Sequence, residues 1–167
     1  MPDLKYVSIN CHGSMIEVYA FLRPLWPFEL PLDRWPTFCG AGDGFGDWIV
    51  PDTFHGECVS PACLQHDLDW ILCENSISGF LRSNFRLYRN LRSLALPKLS
   101  GITRLRAELD CVIYFAAVST VGKKFFKADP DDRIVVEDPL DHPTVQSKLR
   151  RLATVACLGF NDPGEKK

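Results

Sequence analysis

Residues 38–70, "FCGAGDGFGDWIVPDTFHGECVSPACLQHDLDW", decide how the chain is read. Glycines stand at 40, 42 and 44, with Cys39 just before them and Cys63 three residues ahead of the pair His66-Asp67. Glycine reaches backbone angles that other residues avoid, so this loop can turn successive carbonyls towards one point. Calcium is a hard cation that accepts several oxygens at about 2.4 Å, backbone carbonyls and carboxylates included. Asp67 can close such a site from a helix, and His66 beside it is then free to act as a base.

The helix is expected because "SPACLQHDLDWILC" offers Ser60 as a cap, Pro61 at the first helical position and no internal breaker. It should run from about 61 to 73, with Cys63, His66, Asp67 and Trp70 on one face. A second helix is expected over 80–96, with Phe80, Asn84, Leu87, Leu91 and Ala95 along one stripe. That makes Asn84 a polar residue on an apolar face, either a core amide or a site group. Arg82, Arg86 and Arg89 share another stripe, read as a solvated face with anionic lipid as the lesser alternative. A third helix is expected over 102–126 and a short amphipathic one over 144–157.

Before the loop, "KYVSIN" and "SMIEVYAFL" alternate apolar and polar residues about "CHG", the pattern of a β-hairpin. Prolines at 24, 27, 31 and 36 argue against regular structure, so "RPLWPFELPLDRWP" is expected to be an extended aromatic arm. The resulting map is one mainly α domain over 1–167: hairpin 1–23, arm 24–37, loop region 38–60, helical core 61–127, and acidic loop with C-terminal helix 128–167. The cluster Asp129, Asp131 and Asp132 lacks the spacing of a calcium loop and reads as an acidic turn. His12, His55 and His142 carry no surrounding motif.

Composition narrows the classes. A length of 167 residues suits a single domain able to bury a core. A net charge of −2 gives no general pull towards nucleic acid. The longest apolar run, "CVIYFAAV" at 111–118, falls far short of a membrane span, so no transmembrane segment is expected. "MPDLKYVSIN" does not look like a secretory signal, which predicts action where the chain is made, release by lysis, packaging in a virion or export by another route. Seven cysteines are many for a reduced compartment, but an odd number leaves one thiol over in a monomer.

"CGAGDG" followed by "CLQHDLDW" resembles the calcium loop and the Cys-x-x-His-Asp-x-x-aromatic helix of the phospholipase A2 family, closest to the short bacterial, phage and parvoviral forms. "RSNFRLYRNL" and "YFAAVSTVG" are similar in style to the helices that follow. The specific part covers about residues 38–91. The resemblance implies a phospholipase A2-like fold, a helix pair carrying the His-Asp site behind a calcium loop. It also implies a calcium-dependent hydrolase that cleaves the sn-2 ester of phospholipids at a membrane surface. Phe38, Gly40 and Gly42 would be carbonyl ligands and Asp67 the carboxylate ligand. His66 would be the base, and the Gly40 N–H would join calcium in stabilising the oxyanion. Cys39 and Cys63 match a pair that is bridged in secreted relatives.

Two residues depart from the family pattern. Asn84 stands where an aspartate usually orients the histidine, and Trp70 replaces a tyrosine. Asp110 is an alternative partner for His66, unless Arg106 one turn earlier occupies it. The aromatics Trp26, Phe28, Trp35, Trp48 and Phe54 are either an interfacial patch for a bilayer or ordinary core. A site with one carboxylate should hold calcium weakly, towards roughly 10⁻⁴–10⁻³ M. The alternative reading from another class is a non-catalytic relative that binds membranes or serves in phage structure or assembly; a weaker one has the cysteines binding zinc.

Overall fold

The chain begins with two strands whose inward residues build one wall of the core. The computed structural model describes residues 4–27, 30–36, 38–39, 53–126, 134 and 136–158. β1 (Tyr6–Cys11) and β2 (Ser14–Tyr19) pair antiparallel, with Ile9 opposite Ile16 and Val7 opposite Val18. Ile9, Cys11, Ile16 and Val18 point inward while Ser8, Asn10 and Met15 face solvent, the period of two that the sequence predicts. The turn is His12-Gly13, both with left-handed φ (51° and 86°), as two-residue hairpin turns require. The same His-Gly pair turns β3 (Thr53–Phe54) into β4 (Glu57–Cys58), a second small hairpin within the loop region that the sequence does not announce.

The proline-rich arm is a correction. Instead of running extended it forms short 3-10 helices at Ala20–Leu25 and Leu32–Arg34. Proline's fixed φ suits a 3-10 turn, and a turn this short asks few N–H groups to donate. The Pro27 and Pro31 carbonyls accept from the Leu30 and Arg34 amides at 3.0 Å each. Trp26 and Trp35 are buried with ring centres 5.2 Å apart, and Phe54 is buried against Tyr114. These three aromatics are therefore core and no interfacial patch; Phe28 and Trp48 lie outside the described residues.

Among the described residues four α-helices follow, and the chain is mainly helical: α1 (Ser60–Leu72), α2 (Ile77–Ala95), α3 (Gly101–Thr120) and α4 (Pro143–Leu158). Nearly every residue of α1 is buried, Asp67 and Trp70 being partly exposed, so α1 is the central helix. Its N-cap is Val59 with no side-chain cap bond, and Ser60, the expected cap, lies inside the first turn. α2 starts three residues earlier than expected because the Ser76 side chain accepts from the Gly79 amide. α3 ends at Thr120, short of 126, and a 3-10 turn at Gly122–Lys124 follows.

α2 and α3 run antiparallel: Asn84 meets Ser119, Tyr88 meets Phe115, and Arg92 meets Glu108. The hairpin docks on the helices through side-chain amides. Asn90 exchanges two 2.9 Å hydrogen bonds with the Glu17 backbone, and Gln65 Oε1 accepts from the Tyr19 amide at 3.0 Å. Buried amides that satisfy strand backbone in this way fix where the hairpin sits. No helix among the described residues is long and apolar enough to cross a membrane.

Candidate functional site

α1 and α2 lie face to face, and the polar residue of each apolar stripe meets the other. His66 Nε2 and Asn84 Oδ1 are 2.8 Å apart, both side chains buried. An amide oxygen only accepts, so Nε2 carries the proton, and the Nδ1 lone pair takes no hydrogen bond from the described residues. The orientation of Asn84 is itself fixed: its Oδ1 also accepts from Trp70 Nε1 at 3.1 Å, and its Nδ2 donates to Ser119 Oγ at 3.3 Å. Burial pushes the His66 imidazole below its ordinary pKa, against the pull of Asn84 and of nearby carboxylates. The ring is thus neutral at pH 7, the state a general base needs.

The Trp70 indole N–H clamps Asn84, and its ring lies 4.6 Å from the imidazole. Gly122 leaves room for that indole; a Cβ there would come 2.7 Å from Trp70 Cη2. Asp110 does not serve His66. It pairs at 2.8 Å with His55, whose place in the β3–β4 turn brings it over α3, and neither His66 nor Arg106 takes that position.

A comparison with family models, with curated proteins and with solved structures finds no match to this chain. The geometry therefore has to carry the functional argument.

Cys39 is joined to Cys63 by a disulfide, which fastens the start of the glycine loop to α1 one turn before His66. That bridge also removes two cysteines from the zinc alternative. Phe38 beside it is buried. Gly40 and Gly42, the other expected carbonyl ligands, lie outside the described residues. Asp67 is partly exposed on α1, one residue after His66. Its Oδ2 accepts from Lys148 Nζ of α4 at 2.7 Å, while Oδ1 accepts no hydrogen bond from the described residues. The donor set expected around calcium is all oxygen and suits a hard cation, but one of its oxygens is held by an ammonium group.

The sequence reading missed a polar cluster one turn beyond His66. Asp69 is fully buried and accepts from Arg86 at 2.7 Å, Gln65 at 2.9 Å and Tyr6 at 3.1 Å. Arg86, expected on a solvated stripe, is instead mostly buried, its guanidinium carbon 3.4 Å from the centre of the Tyr6 ring. Arg82 and Arg89 do face solvent, pairing with Glu74 and Glu17. Burial pushes the Asp69 carboxyl up, and Arg86 opposes it. The signal was present: an Asp and an Arg, each on a face that its neighbours bury, can hold their charges only by pairing.

Proposed function

We propose that the chain is a calcium-dependent hydrolase of phospholipids of the phospholipase A2 type, with a fold of that type built around α1 and α2. The observation that carries the reading is the buried His66, its imidazole held below its ordinary pKa, whose Nε2–H is held by Asn84 so that Nδ1 is the nitrogen left to accept a proton. In this reading Nδ1 accepts the proton of a water that attacks the sn-2 ester carbonyl. Asn84 keeps the ring in the right tautomer and orientation, though as an amide it gives the imidazolium no charge of opposite sign. Phe38, Gly40, Gly42 and Asp67 would hold the metal, and the Gly40 N–H would face the developing oxyanion. Calcium supplies positive charge at that oxyanion when bound. The Cys39–Cys63 bridge supports the assignment because it fastens Cys39, just before the glycines, to α1 one turn before His66.

A membrane surface fits the outer side of α3. Ile102, Leu105, Leu109, Val112 and Ile113 are all exposed along it, a stripe longer than a water-facing helix normally carries. Arg104, Arg106, Lys123 and Lys124 are also exposed, and among the described residues none of them forms an ion pair. Exposed apolar residues together with exposed cations suit a bilayer of anionic lipid.

The reading is tested by fatty-acid release from mixed phosphatidylglycerol and phosphatidylethanolamine vesicles at millimolar calcium. Chelator should abolish release. Vesicle association without product would favour the second reading, a non-catalytic membrane-binding or assembly protein, for which Asn84 in place of a carboxylate is the favouring feature.

A further inference from the structure

Resting on that site, we propose that Lys148 is an internal counter-ion which competes with calcium for Asp67, so that α4 is a latch on α1 that the metal would release. Three observations carry it. Lys148 Nζ sits 2.7 Å from Asp67 Oδ2, each side chain about a quarter exposed (25% and 26%), so the pair is partly shielded from water. One turn further along α4, the Arg151 guanidinium lies 5.5 Å from the centre of the Phe38 ring. α4 therefore places a cation on each described residue of the expected metal site. Behind α4, a cleft of about 300 Å³ opens between Leu25 and Pro27 on one side and Leu149, Leu152 and Ala153 on the other. Val145 and Leu152 of α4 are buried in the core.

The electrostatics make the two cations exclusive. A divalent ion a few ångströms from Asp67 would face the Lys148 ammonium at close range, and like charges at that distance repel strongly outside bulk water. Lysine carries its charge on a flexible stem and can swing away, releasing the tie between α1 and α4. Linkage then works in both directions: whatever Lys148 takes from calcium affinity, calcium takes from the attachment of α4. Weak calcium binding thus has a second source besides the single carboxylate, and it is one that substitution can remove.

The test is calcium titration by calorimetry of the full chain as wild type, Lys148→Gln and Lys148→Arg, together with hydrogen exchange of α4 with and without calcium. Lys148→Gln should bind calcium about tenfold more tightly, the scale of a hydrogen bond to a charged group, and Lys148→Arg should stay within a few-fold of wild type. Calcium should speed exchange along 143–158 in the wild type and leave it unchanged in Lys148→Gln. Equal affinity in wild type and Lys148→Gln overturns the latch while leaving the metal site standing. No calcium binding in any of the three overturns the site and the latch together. A melting curve for each variant separates loss of α4 packing from loss of the ion pair: a Lys148→Gln protein that melts early and binds calcium no better also counts against the latch.

Discussion

Asn84 Oδ1 accepts from His66 Nε2 and from Trp70 Nε1 at once, at 2.8 Å and 3.1 Å. One amide oxygen therefore sets the tautomer of His66 and the position of the aromatic ring beside it. The exchange Asn84→Asp should be accepted, because both donors still find an oxygen and the Ser119 hydroxyl can rotate to donate to the other. It should raise kcat, since a carboxylate stabilises the imidazolium that Asn84 cannot. The ceiling is the roughly 10⁴-fold that losing such a charge costs in a serine-protease triad. Asn84→Leu should remove activity and leave Trp70 Nε1 without its acceptor. A folded Asn84→Asp protein with unchanged kcat would show that the imidazolium charge does not limit turnover.

The pH profile follows from the direction of the His66 shift. Burial holds its pKa below the ordinary 6.5, so the neutral base persists on acidification past that value. The acid limb of kcat/KM should lie below pH 6.5. The sign for stability is the same: between the folded and unfolded pKa values the unfolded chain binds more protons, so stability falls as the pH drops below about 6.5. Rates measured across pH 4–8 check the first claim, and melting temperatures over the same range check the second. An acid limb above 6.5 would contradict the burial argument.

The Asp69–Arg86 pair should matter more to folding than any surface ion pair. Arg86→Met leaves a buried carboxylate with two neutral donors, and removing one partner of a buried pair costs about 3–5 kcal/mol. Asp69→Asn with Arg86→Met should cost less than the sum of the two single changes, because they share one interaction. Chemical denaturation of the four proteins measures this; strict additivity would show that the two residues act independently.

Reducing the Cys39–Cys63 bridge, or replacing both with serine, opens a loop whose ends are 24 residues apart in sequence. The chain-entropy relation gives a loss of about 3.5 kcal/mol for such a loop. The calcium affinity should fall with it, because the loop start is no longer fixed to α1. Cys11 and Cys111 should stay unalkylated in the folded protein at pH 8, since burial pushes their thiols up to about 11 and about 12.

Leu105→Asp and Leu109→Asp should leave the fold intact, both residues being more than half exposed (66% and 58%). Each should weaken binding to anionic vesicles about tenfold, the loss expected when a leucine no longer enters the interface. Vesicle flotation reads this directly; unaltered binding would place the membrane contact elsewhere, and a second copy of the chain on α3 would appear as a dimer in light scattering.

The parts of the fold that follow from local periodicity were legible in the sequence. Alternation at 6–19 gave the hairpin, and the three-four spacing at 63–70 and 80–95 brought His66 and Asn84 to facing stripes. What escaped depends on partners far away in the chain. Arg86 reads as solvated on α2 alone, and only the docking of the hairpin, with Tyr6 over its guanidinium, makes it interior. Lys148 is 81 residues from Asp67 and carries no pattern that points there. The prolines misled because they exclude α-helix and central strand but not a 3-10 turn, and two of their carbonyls are the acceptors that close such turns. Trp70 reads from the sequence as one more aromatic on the His66 face, whereas its indole N–H reaches across to α2 and donates to Asn84.

In the proposed reaction His66 is the base of a calcium-dependent ester hydrolysis. The most direct measurement is release of a labelled sn-2 acyl chain from phosphatidylglycerol vesicles by wild type and His66→Ala, each at millimolar calcium and in chelator. The account predicts release by the wild type in calcium alone, and none by His66→Ala under either condition. Equal calcium-dependent release by His66→Ala, or no release by a folded wild type that binds calcium, would contradict it.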